Sequence, residues 1–131
     1  MNIRLILVFI WLFGMFSCTI PKEARLLKKT TEDWRKSPVV LEAYADSPLS
    51  GRFLTLRDNG KFEHTSSGLL RSFQAGIWTS NQDTINLSYI DNNQKETNMQ
   101  KVYIDKKASR LIFEGDTTPA MFRLRILINN L

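Results

Sequence analysis

Gly51-Arg52-Phe53-Leu54-Thr55-Leu56-Arg57-Asp58-Asn59-Gly60-Lys61-Phe62-Glu63-His64-Thr65 reads as a complete β-hairpin. Leu54 and Leu56 share one face because side chains alternate along a strand. Asp58-Asn59-Gly60 then supplies a tight turn, since Asn and Gly tolerate the positive φ such turns require. Lys61 to Thr65 returns. The same pattern extends in both directions. Val39 to Tyr44 is a strand on the N-terminal side. Ser72 to Thr79 follows, and a turn at Ser80-Asn81-Gln82 leads into Asp83 to Ile90, where Ile85, Leu87 and Tyr89 face one way. Asp91-Asn92-Asn93-Gln94 turns the chain again. Thr97 to Asp105, Arg110 to Glu114 and Met121 to Ile128 complete the set. In the last, Phe122, Leu124, Ile126 and Ile128 face in while Arg123 and Arg125 face out.

These are about eight strands at spacings near ten residues, joined by short turns. No helical run separates them, so parallel crossovers are not expected and an antiparallel meander is. Such a sheet removes its exposed edges by closing on itself. The expected fold class is all-β, an eight-stranded meander barrel or strongly curved sheet spanning 38–131, with a two-sheet sandwich as the alternative. Ahead of it, Glu23 to Lys36 is expected to form a short helix with Ala24, Leu27, Thr31 and Trp34 along one stripe. Pro38 ends that helix, because the residue before a proline avoids the helical region. Trp34 is read as plugging one end of the domain.

The chain begins differently. Met1-Asn2-Ile3-Arg4 is followed by an uncharged run, Leu5 to Phe16. That run fits a secretory h-region and is too short for a transmembrane helix, which needs about 20 apolar residues. Cys18 is the single cysteine of the 131 residues. An ordinary signal peptidase wants small residues at −1 and −3, and Met15 and Phe16 do not supply them. Residues 1–17 are therefore read as a signal segment and 18–37 as a tether.

The whole chain carries a formal net charge of +5. Basic residues are concentrated between Lys22 and Lys36, where a segment beside a membrane meets anionic headgroups. Nucleic acid is not an expected partner, because the remaining basic residues are scattered.

Catalytic and metal chemistry finds little to work with. His64 is the sole histidine, and zinc sites need three or four clustered ligands. It is read as a surface or pore-mouth strand residue. Ser66 and Ser67 lie close to it but read as turn residues, as do Asp58, Asp83 and Asp91. No phosphate-binding glycine loop is present. No catalytic residue, metal or cofactor is expected. The aromatic residues Phe53, Phe62, Phe73, Trp78, Tyr89, Tyr103, Phe113 and Phe122 are read as facing inward. They either fill the core or line a cavity for an apolar ligand, and Phe62, Trp78, Tyr89 and Phe122 are the candidate lining residues.

Met15-Phe16-Ser17-Cys18 resembles the lipobox of bacterial lipoproteins, in the looser form found in Bacteroidota-like bacteria. The resemblance implies that the Cys18 sulfur is acylated, palmitate-like chains included, and that cleavage makes Cys18 the new N-terminus. Two or three acyl chains anchor durably, each buried CH₂ contributing about 0.8 kcal/mol. The sulfur is then unavailable for a disulfide, a metal or nucleophilic attack. Thr19, with no Asp at that position, points away from inner-membrane retention by resemblance to enteric sorting rules. The outer membrane, on its periplasmic or surface face, is the expected location.

Residues 51 to 91 are also similar to a pattern of small secreted lipocalin-like lipoproteins. The pieces are Gly51, Leu54-Thr55-Leu56, Asn59-Gly60-Lys61-Phe62, Gly76-Ile77-Trp78 and Asp83-Thr84-Ile85-Asn86-Leu87. Classical lipocalins carry Gly-x-Trp on the first strand, whereas here it falls mid-sheet. The Cys-x-x-Cys of related copper-homeostasis lipoproteins is missing, so no copper role follows. The resemblance implies a non-enzymatic envelope lipoprotein whose barrel binds a small apolar ligand or a protein partner. A structural or inhibitor-type lipoprotein with a filled core is the alternative, and a hydrolase is the third reading.

Overall fold

A computed structural model describes residues 20–131 apart from 48, 49 and 70. The signal segment 1–17 and the lipidation residue Cys18 lie outside the described residues. Eight strands follow one another: β1 Val39–Asp46, β2 Gly51–Arg57, β3 Lys61–Ser66, β4 Ser72–Asn81, β5 Thr84–Ile90, β6 Glu96–Asp105, β7 Arg110–Phe113 and β8 Arg125–Asn129. Each pairs antiparallel with the next, and β1 pairs with β8, so the sheet closes into one barrel in sequence order. It is not a sandwich of two sheets. Short turns permit only neighbour pairing, and closure leaves no long unpaired edge.

The alternation read in the sequence places the core. Leu41, Leu54, Leu56, Phe62, Ile85, Leu87, Val102 and Leu111 are fully excluded from solvent inside the barrel. Each such side chain contributes roughly 1.5–3 kcal/mol by leaving water. Gly60 has a φ of 76° at the β2–β3 turn, the left-handed conformation that the Asp-Asn-Gly sequence accommodates. Gly76 serves a different purpose. A Cβ there would stand 1.9 Å from the Ser88 carbonyl oxygen and 2.8 Å from the Phe62 ring. The glycine lets β4 and β5 approach closely beneath that ring.

The strand turns define two ends. The β2–β3, β4–β5 and β6–β7 turns close the lower end. Longer connections, including 114–124, lie at the upper end. The expected N-terminal helix is broken in two: helix α1 (Lys22–Thr30) and a 3₁₀ segment, Glu32–Lys36. Its apolar stripe is as expected. Leu27 packs with Phe73, Ala75 and Ile90, and Ala24 and Trp34 pack against that group. Trp34 therefore lies on the outer wall of β4 and does not plug an end, with Lys61 Nζ 5.0 Å from its ring centroid. Arg35 Nε donates to Glu63 Oε1 at 3.0 Å, compensating a carboxylate that the 3₁₀ segment buries. Ser37 and Pro38 are tied to the lower end, where the Ser37 carbonyl accepts from Arg57 Nη1 at 2.8 Å and the Pro38 carbonyl from the Asp58 amide at 2.9 Å.

The last strand departs from expectation. Ala120–Phe122 forms a short 3₁₀ turn and β8 starts only at Arg125. Leu124 is buried and Ile126 partly so, while Ile128 is 39% exposed at the end of the barrel. Three aromatic residues read as inward are elsewhere. Phe53 packs against Tyr44 on the outer face with ring centroids 4.6 Å apart. Phe73 is covered by α1, and Tyr103 is 40% exposed. All three occupy strand positions alternate to the barrel-filling ones, and the alternation overrides their hydrophobicity.

Candidate functional site

Inside the upper half of the barrel the filling changes chemistry. Arg52 occupies the same side of β2 as Leu54 and Leu56. His64 shares the inward face of β3 with Phe62, Tyr89 that of β5 with Leu87, and Gln100 that of β6 with Val102. The strand period that builds the apolar core therefore delivers an arginine, an imidazole, a phenol and an amide into its upper layer.

These groups meet. Tyr89 Oη lies 3.1 Å from His64 Nδ1 and 3.4 Å from Gln100 Oε1, and the hydroxyl proton can serve only one of them. The His64 ring stacks on Phe113, with centroids 5.6 Å apart and planes 23° apart. Phe62 meets Tyr89 edge-on at 5.1 Å, a geometry favoured by the ring quadrupoles. Burial, and secondarily the charge of Arg52, pushes the His64 imidazole down from 6.5 to about 4. Burial likewise pushes the Tyr89 phenol up to about 12. Both groups are therefore neutral at pH 7 and are hydrogen-bonding surfaces set in an aromatic box.

The wall beside this layer is thin. β7 pairs with β6 only from Val102 to Asp105. β7 and β8 share one register pair, Arg110 with Arg125, flanked by the Leu111 N to Leu124 O and Ile126 N to Ser109 O bonds, each 2.8 Å. Segment 114–124 covers the gap. It is shaped by the Asp116 carboxylate, which accepts from the Thr118 amide at 2.8 Å, and by the Phe122 amide, which donates to the Pro119 carbonyl at 2.9 Å. Hydrogen bonding to Thr118 holds the Asp116 carboxyl below the ordinary carboxylate range. Arg52 Nη2 donates to the Phe122 carbonyl at 3.2 Å, latching the segment to β2.

Of the four aromatics read as lining a cavity, Phe62 and Tyr89 are in this layer. Phe122 sits half-buried at its rim, connected through its carbonyl to Arg52. Trp78 is not with them. Its Nε1 donates to the Arg57 carbonyl at 2.9 Å near the lower end, where the ring packs on the core. Phe113, read as facing inward, joins the layer, and Arg52 and Gln100, which the sequence reading does not single out, complete it. Their parity with Leu54 and Val102 was the available signal. His64, read as a surface or pore-mouth residue, packs inside the upper barrel against Phe113 and Tyr89.

The turn aspartates do structural work. Asp91 Oδ1 accepts from the Asn93 and Lys95 amides at 2.8 and 3.0 Å, and Asp83 pairs with Lys106 at 2.9 Å. Among the described residues no group of three or more His, Cys, Asp or Glu side chains is placed to hold a metal ion. No helix among them is long and apolar enough to cross a membrane.

Fold and site together define a closed, eight-stranded antiparallel meander barrel with an external helix and a polar upper interior. Beyond that class, no family model, no curated protein and no solved structure matches the chain.

Proposed function

We propose that this is a lipid-anchored envelope protein, held through Cys18, whose barrel binds a small, largely apolar ligand at its upper end without transforming it. The observation that carries the reading is the change of filling along the barrel axis. Aliphatic side chains close the lower half, while the upper half presents Phe113, Tyr89 and Phe62 beside His64, Gln100 and Arg52. Aromatic faces suit an apolar body, and a few convergent polar groups fix its orientation. The non-enzymatic part of the reading is supported by the two titratable groups. A general acid or base works best with a pKa near the operating pH, and His64 and Tyr89 are shifted away from it in opposite directions. The membrane part rests on the lipobox resemblance, with the basic residues of α1 suited to anionic headgroups.

A second reading is favoured by the sealed lower core: a filled barrel acting on a protein partner through its outer surface. One preparation separates the two. The full chain, expressed in a bacterium and purified in detergent, is extracted with organic solvent and analysed by mass spectrometry. A stoichiometric small molecule that disappears in Tyr89→Ala supports interior binding. An empty extract supports the surface reading. Metabolic labelling with a fatty-acid analogue checks the anchor, with label expected on the wild type and lost in Cys18→Ala. Equal labelling of the two would refute lipidation at Cys18.

A further inference from the structure

The outer wall where β7, β8 and β1 meet carries an unusual charge pattern. Arg110 and Arg125 are direct partners in the antiparallel register, and Arg125 is also paired with Tyr44 of β1. Like charges directly opposite one another destabilise a sheet. Arg123 is two residues from Arg125 along the chain and is fixed by its Nε bond to the Thr118 carbonyl at 3.2 Å. Together with Tyr44, Asp46 and Met121 these three arginines line a cleft of about 180 Å³.

No ion pair among the described residues reaches these arginines, while Asp105 is the direct register partner of Arg110 on β6 and the Arg123 charge acts on the Asp116 carboxyl. The ion pairs among the described residues are Arg35–Glu63, Lys36–Asp33 and Lys106–Asp83, and none involves the cleft. Arg110 Nη1 is shut off from solvent and, among the described residues, has no hydrogen-bond acceptor. A buried guanidinium N–H without an acceptor carries its full desolvation cost. Asp46 is the one acidic residue of the cleft, and its carboxylate faces the Tyr44 phenol, which is raised first by burial and then by that charge. The lining of the cleft itself is thus three cations against one anion. A planar guanidinium fork matches an oxyanion, and several forks together favour the phosphate class.

We propose that the cleft formed by Arg110, Arg123 and Arg125 is a binding site for a phosphate-class oxyanion, supplied either by a soluble phosphate ester or by a lipid headgroup. A bound anion relieves the Arg110–Arg125 repulsion. The site is on the outer wall and does not depend on the interior ligand.

The test uses the full chain in a neutral maltoside detergent, with glycerol 3-phosphate and inorganic phosphate as probes and chloride at equal ionic strength as the control. Thermal unfolding and isothermal titration are read for the wild type, for Arg125→Gln, for Arg110→Lys and for Arg71→Gln, an exposed arginine outside the cleft. The wild type and Arg71→Gln are expected to bind saturably and to be stabilised by phosphate over chloride. Arg125→Gln is expected to bind at least tenfold more weakly while unfolding no earlier than the wild type without anion, since it removes a repulsion. Arg110→Lys keeps the charge and loses the fork, and its binding falls between the two. Mixed micelles containing phosphatidylglycerol or phosphatidylcholine distinguish the source. Arginine-dependent retention on the former, with weak binding of the soluble probes, identifies a headgroup, whereas strong soluble binding indifferent to lipid identifies a free ester. Equal responses to phosphate and chloride, or identical behaviour of Arg125→Gln and Arg71→Gln, would overturn the proposal.

Discussion

The lower and upper halves of the barrel obey the same alternation and end in different chemistry. In the lower half, Leu56 stands opposite Leu41 on the neighbouring strand, both fully buried. In the upper half the equivalent inward positions hold Arg52, His64, Tyr89 and Gln100. Close-packed aliphatic filling is felt at the level of a single methylene. A polar layer instead depends on whether each group finds a partner. The difference teaches that close packing carries the lower half of this small domain, while the upper half depends on hydrogen-bonding groups finding one another.

The sharpest way to break that comparison is Leu56→Ala. Removing a fully buried leucine costs its transfer energy and leaves a cavity, and a loss of about 4 kcal/mol is expected in urea unfolding. A loss below that of the polar substitutions would remove the distinction between the halves. Gly76→Ala is next. Its methyl group meets the Ser88 carbonyl and the Phe62 ring, so β4 and β5 must part, at a cost of about 3 kcal/mol. A change within error would mean that the close approach is dispensable.

The pH dependence sharpens the upper half. His64 titrates at about 4 when folded, against an ordinary 6.5, so the unfolded chain takes up its proton first as pH falls. Stability from this group is complete above pH 6.5, declines as pH falls toward 4, and levels off below. At about 1.4 kcal/mol per pH unit the full loss is about 3–4 kcal/mol. The groups facing the imidazole are Tyr89, Phe113 and the charge of Arg52, which opposes protonation. Urea titrations between pH 7 and 4 should show the slope in the wild type and a flatter one in His64→Gln. The smallest effect belongs to Tyr89→Phe, which deletes the hydroxyl between His64 and Gln100. About 1 kcal/mol is expected, together with a weaker pH slope, because a less tightly held imidazole protonates more readily.

Much of the barrel was legible in the residues. The Asp58-Asn59-Gly60 turn, the Ile85-Leu87-Tyr89 alternation and the absence of crossover helices together leave few topologies. The errors came where local pattern and tertiary demand diverge. Phe122 looked like the start of a strand because it alternates with Leu124 and Ile126, but the chain first has to cross the gap above β7 and does so in a 3₁₀ turn. Phe53 and Phe73 looked like core residues because they are aromatic. Their parity puts them outside, where Tyr44 and α1 supply the apolar contact. Trp34 was legible as a buried anchor but not as an anchor on a wall, because the path of the helix is fixed by Phe73, Ala75 and Ile90 of strands far along the chain. The polar layer was hidden for a related reason. Nothing in their own segments marks the polar Arg52 and Gln100 as inward, and only the shared face with Leu54 and Val102 turns them so.

What the sequence determined by itself is local and periodic: the strand alternation, the turn chemistry, the amphipathic stripe of the N-terminal helix, and an uncharged apolar run ahead of a single cysteine. What only the tertiary structure decided is which residues become neighbours on closure. Joining β8 to β1 sets Arg125 beside Tyr44, while β7 sets it opposite Arg110, and the curvature of the sheet gathers His64, Tyr89, Gln100 and Phe113 from four strands. The physical reason is that strand period fixes the direction of a side chain within its own segment. Register and closure, set by packing across the whole sheet, fix what it meets.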